Sequence, residues 1–128
     1  MSPTLERMKQ ILPLLEAAPP TASGEFVRYE VEIGYCVGLR LFNTAGVAVQ
    51  NIAMAKGTIF PVHFHEEKEV FIVHNGNLLV IVDGERVAMG QGDMLEIPPK
   101  AAHSASATTD CEFIATTVPP ASGYPGVF

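Results

Sequence analysis

A chain of 128 residues is one domain, long enough to bury roughly two thirds of its unfolded surface and so to fold without needing a disulfide or a metal. A formal charge of −6 and the lack of any Lys/Arg cluster argue against a nucleic-acid or anionic-membrane partner, and no apolar run approaches the ~18 to 20 residues of a membrane span. At 48% hydrophobic and 17% charged, with 11 Gly and 10 Pro, the composition is that of a globular protein with many turns, which favours β structure.

Ser2 and Pro3 form an N-cap and first-turn signature, and Leu5, Met8, Ile11, Leu12 and Leu15 follow at helical spacing. The pattern predicts a short amphipathic N-terminal helix that ends or kinks at Pro13, with the helix and linker filling 1–20 up to Pro19-Pro20. Its apolar stripe needs a cover, either the outer wall of the domain or a second subunit. Acidic residues among the bases and the absence of a continuous apolar segment do not fit a secretory signal, so a cytoplasmic location is expected.

From Phe26 onward, strand-like runs alternate with turn signals: FVRYEVEI, CVGLRLF, VAVQNIAMA, two runs flanking residues 63–69, then LLVIV, RVAM, MLEIP and CEFIATTV. No helical period intervenes, which predicts an antiparallel sandwich or barrel and excludes a βαβ fold. Asp83-Gly84 is a two-residue hairpin signal, and Gly90 with Gly92-Asp93 marks the next turn. Cys36 and Cys111 lie in neither a CxxC nor a zinc spacing and read as small buried hydrophobes. VFIV at 70–73 and LLVIV at 78–82 are apolar on both faces, so their outer face should be covered, by the N-terminal helix or in a homodimer. The Pro/Gly-rich tail at 119–128 reads as extended chain anchored by Tyr124 and Phe128.

The chemistry concentrates in 57–76, GTIFPVHFHEEKEVFIVHNG. His63 and His65, two apart, point to the same side of a strand, with Phe64 turned away. EEK at 66–68 reads as a tight connection, after which Glu69 opens the next strand and can return a carboxylate to the same point. Two imidazoles and a carboxylate suit a divalent transition metal, and His103 offers a third imidazole. Glu67 shares strand parity with His65 and is the alternative to Glu69; Glu66 sits at the turn tip. His74, just before the Asn75-Gly76 turn signal, reads as an exposed or hydrogen-bonded loop histidine.

The stretch resembles the small single-domain cupins. Their first motif, G-x5-H-x-H-x3-E-x6-G, is met in full by Gly57, His63, His65, Glu69 and Gly76. Their second, G-x5-P-x-G-x2-H-x3-N, is met by Gly92, Pro98 and His103, but Lys100 stands in place of glycine and Ala107 in place of asparagine. The two motifs together span 57–107. The resemblance implies an all-β double-stranded β-helix, or jelly roll. It also implies one divalent transition metal (iron, manganese, nickel, cobalt, copper or zinc) held by His63, His65, Glu69 and His103.

Such a centre would leave two octahedral positions open and make the metal a usable Lewis acid. Any proton would pass to Glu69 or to metal-bound water, since no separate acid/base stands out. Tyr29, Tyr35 and Glu96 are candidates to project inward, and Phe71, Val73, Met94 and Ile97 are expected to fill the interior. The function implied is a metal-dependent enzyme of dioxygenase, isomerase or lyase type acting on a small oxygen-bearing molecule. The alternatives are a non-catalytic module that binds a metal and a small ligand, and a structural dimerising domain.

Overall fold

The computed structural model describes residues 26–29, 31, 33–43 and 46–118. The predicted helix within 1–20 and the tail at 119–128 lie outside the described residues. Ten strands follow in order: β1 (Phe26–Tyr29), β2 (Cys36–Asn43), β3 (Ala48–Met54), β4 (Ile59–His63), β5 (Lys68–Asn75), β6 (Leu78–Val82), β7 (Glu85–Met89), β8 (Met94–Ile97), β9 (His103–Ala107) and β10 (Cys111–Val118). There is no helix among the described residues, and none there is long and apolar enough to cross a membrane.

The strands form two antiparallel sheets, ordered β1-β2-β3-β10-β5-β8 and β4-β9-β6-β7, which face each other as a jelly roll. β3 and β10 form the central pair of the larger sheet, and β5 flanks β10 on its other side. The register of β10 with β5 places Phe113 beside Val73, Ala115 beside Phe71 and Thr117 beside Glu69. Between the sheets Met54, Val73, Cys111 and Phe113 pack on Leu78, Val80, Met89 and Ala107. Both cysteines are free and buried, as expected; burial pushes the Cys111 thiol up to about 12 and the Cys36 thiol higher still. On the outer faces Leu79 and Ile81 are half-buried, while Ile72 is exposed.

The strand β9, HSASA, has no counterpart in the sequence-based reading. Its alanines and serines carry little β preference, and pairing on both sides decides its conformation: Ala105 lies opposite Phe60 and Val80. Gly76 closes the β5–β6 turn with φ 78°, and a Cβ there would run into the backbone oxygen of Asp110.

Candidate metal centre

Four side chains meet where β4, β5 and β9 come together: His63, His65, Glu69 and His103 each place one donor atom within 4.8 Å of all the others. The cluster expected from spacing and resemblance is therefore assembled, by a route the sequence did not show. β4 carries a bulge. Phe60 lies opposite Ala105 and His63 opposite His103, so three steps on β4 match two on β9. The extra residue lets Phe60 and His63 both face inward, and Pro61, which has no N–H to give, sits within the bulge. His65 lies beyond the end of β4, in the connecting loop, and not on the same strand as His63.

Two backbone devices hold the loops. Lys100 donates its N–H to the His65 carbonyl at 2.8 Å, tying the loop of the first motif to the turn before β9. Lys100 adopts φ 67°, so the lysine in place of a glycine makes the left-handed turn at some conformational cost. Asp83 accepts from the Ala102 N–H at 3.0 Å and returns its own N–H to the Ala102 carbonyl at 2.8 Å, clamping the approach to His103.

The hydrogen bonds of the three rings fix their chemistry. His63 Nδ1 lies 2.9 Å from the Pro61 carbonyl, His65 Nδ1 2.8 Å from that of Glu67, and His103 Nδ1 2.8 Å from that of Ala101. A carbonyl only accepts, so each Nδ1 carries the proton and donates, leaving each Nε2 as the free lone pair. Two of these nitrogens point at one oxygen: Glu69 Oε1 is 3.0 Å from His103 Nε2 and 3.3 Å from His65 Nε2. Four acceptors facing one point repel unless a cation sits among them, and either a proton or a metal ion can fill that place. The donor set fits a divalent transition metal.

Electrostatics agree. Burial would push the Glu69 carboxyl up, but the hydrogen bonds it accepts from His103 and His65 when a proton fills the centre outweigh that and hold the group below the usual carboxylate range. Donating that hydrogen bond to Glu69 raises His65, whereas burial lowers His63. The surrounding wall is largely aromatic: Phe60 packs edge-on to His63, and Phe71 lies edge-on to His103.

Phe71, Val73 and Ile97 fill the interior as predicted, but Met94 does not: it pairs with the outward-facing Ile72 and is 69% exposed. Of the candidate inward groups, only Tyr29 projects in; Tyr35 is exposed, and Glu96 lies on the outer face in an ion pair with Lys68. Glu67 gives the cluster its carbonyl and not its carboxylate. His74 stands on β5 itself, its ring 2.6 Å from Asn51 Oδ1. Arg40, Gln50 and Thr117, all buried on the inner wall, escaped the sequence reading. The available signal was parity, since Gln50 shares its side of β3 with Ala48 and Ile52.

Comparison with curated protein sequences gives no match. Among solved structures, an RmlC-like cupin from Shewanella frigidimarina superimposes with a TM-score of 0.67 at 25% identity, over 80% of this chain and 92% of that one. KdgF from Halomonas sp. gives 0.65 at 23% identity, over 72% and 84% of the two chains. A predicted oxalate decarboxylase from Thermotoga maritima gives 0.65 at 20%, over 77% and 96%. The model of the cupin domain matches residues 51–118, more than half of the chain and all four clustered residues. On that match the chain belongs to the cupin-domain family.

Proposed function

We propose that this cupin holds one divalent transition metal through His63, His65, Glu69 and His103 and acts as a metal-dependent enzyme on a small oxygen-bearing molecule, in the manner of a dioxygenase, isomerase or lyase. The observation that carries the reading is the commitment of all three Nδ1 atoms to backbone carbonyls, which leaves three Nε2 lone pairs in the cluster, those of His65 and His103 directed at the buried Glu69 carboxylate. When bound, the metal supplies Lewis acidity. Glu69, kept ionised by its histidine partners, is both a ligand and the proposed proton acceptor. Phe60, Phe71 and Ile97 keep water from the inner side of the cluster.

One observation favours the second reading, a non-catalytic ligand-binding module. Among the described residues the inner wall has no carboxylate or imidazole beyond these four. Tyr29 packs edge-on to Phe60, which in turn packs on His63, and burial raises its pKa well above the ordinary value, so it stays a neutral phenol. Reloading metal-stripped protein with iron, manganese, nickel or cobalt and assaying small diketones, catechols and hydroxy acids separates the two. Turnover that appears only with metal supports the enzyme, and ligand binding without turnover supports the module. We also propose a twofold dimer through the outer face of the larger sheet, where Leu41, Ile72, Met94 and Val118 are exposed. Light scattering at the monomer mass of 13.7 kDa would contradict it.

A further inference from the structure

The inner wall of the larger sheet carries a second polar group beside the metal cluster. Thr117 lies directly across from Glu69, and Gln50 lies across from Ala115 on the next strand and from Arg40 on the strand after that. Thr117, Gln50 and Arg40 are 0%, 1% and 1% exposed. The phenol of Tyr29 donates to Gln50 Oε1 at 2.6 Å. That bond fixes the amide, with its Nε2 hydrogens turned away from the tyrosine. Neither Gln50 Nε2 nor Thr117 Oγ1 has a hydrogen-bond partner. The arrangement is built in: a Cβ at Gly38 would collide with Gln50 Oε1 and crowd the Tyr29 ring, so the amide occupies space that only a glycine leaves.

A buried donor without a partner is destabilising, and two on one wall, one of them directly across from Glu69, imply a ligand that completes them. The Gln50 amide nitrogen donates and the Thr117 hydroxyl can donate, so the complement is a group rich in acceptor oxygens, which a carboxylate supplies. We infer that Gln50 and Thr117 receive a carboxylate at the far end of the substrate, making the substrate class a small organic acid whose other end reaches the metal. This inference rests on the metal reading of the cluster. Tyr29 is the positioning residue: it also lines a cleft of about 440 Å³ with Arg28, Val31 and Gly34, and its hydroxyl sets the direction of the amide.

The test uses cobalt-loaded protein and matched pairs of 2-hydroxy acids that share a chelating head. Malate, 2-hydroxyglutarate and 2-hydroxyadipate are compared by calorimetry with the corresponding monoacids, in which a methyl group replaces the distal carboxylate. At least one diacid should bind tenfold or more tightly than its monoacid partner. Gln50→Leu should abolish that preference while leaving monoacid affinity and cobalt content unchanged, and Gln50→Glu should weaken the diacid further by charge repulsion. Thr117→Val is the second variant should Gln50→Leu fail to fold, with the same loss of preference expected. Equal affinity for all pairs, or no binding of any acid by the cobalt-loaded chain, would overturn the inference and leave the metal site standing. Failure of the wild-type chain to take up cobalt would overturn the metal reading itself, and this inference with it.

Discussion

The two ends of the barrel interior are built on different terms. At one end Met54, Val73, Leu78, Met89, Cys111 and Phe113 are buried with no polar side chain among them. At the other, Glu69, His103, Gln50, Arg40 and Thr117 are equally buried, yet each brings a polar or charged group into the interior. Burial of hydrocarbon stabilises the fold wherever it occurs, whereas buried polar groups need specific partners. The apolar end thus holds the sheets together, and the polar end is the part whose buried groups, on our proposal, a metal and a ligand complete.

The largest expected effect lies at the apolar end. Phe113→Ala should lower stability by about 3 to 5 kcal/mol, read by denaturant unfolding, through lost transfer energy plus a cavity. The folded fraction should still take one metal per chain. Loss of metal in proportion to the loss of stability per folded molecule would mean that the two ends are not independent.

The next effect is a reversal with pH at the polar end. His65 has a folded pKa raised above 6.5 by Glu69, so in metal-free protein this pair contributes stability below pH 6.5 that is lost as pH rises through the raised value. Glu69 is held below 4.5, so its contribution is present above that value and lost as pH falls through the lowered one. Metal needs the imidazoles deprotonated and gains affinity over the same rise above pH 6.5. The stabilisation by added metal should therefore grow from pH 6 to pH 8, reaching about 2.7 kcal/mol where free metal is a hundredfold above Kd. Thermal melts with and without metal at the two pH values check it; a stabilisation that shrinks as pH rises would contradict it.

The apolar end was easy to read from the sequence because short apolar runs such as VFIV and LLVIV, set between turn residues, report burial directly. The cluster was legible because the complete first motif brings His63, His65 and Glu69 within seven residues. Three features were not legible. The bulge at Pro61 depends on how β4 pairs with β9, and β9 itself is a strand only through its neighbours on both sides. The wall of Gln50, Arg40 and Thr117 joins the consecutive strands β2 and β3 to β10, which is far away in sequence. Lys100 looked like an obstacle to the turn before His103, yet it takes φ 67° and contributes its backbone N–H.

The smallest expected effect tests that last point. Lys100→Gly should relieve left-handed strain and raise stability by about 1 kcal/mol or less, with metal affinity unchanged. Lys100→Pro, which removes the N–H that His65 receives and cannot take positive φ, should weaken metal binding instead. If glycine weakened metal binding as much as proline, the lysine side chain and not its backbone would be supporting the site.

The most direct measurement is X-ray absorption at the cobalt edge, together with metal stoichiometry, on cobalt-loaded wild type and on the double variant His63→Ala, His103→Ala. The expected result is one cobalt per wild-type chain with three imidazoles and one carboxylate in its shell. After dialysis against a weak chelator, the folded double variant should hold no stoichiometric metal. Cobalt retained by the double variant, or a wild-type shell without three imidazoles, would contradict the assignment of His63, His65, Glu69 and His103 as the metal centre.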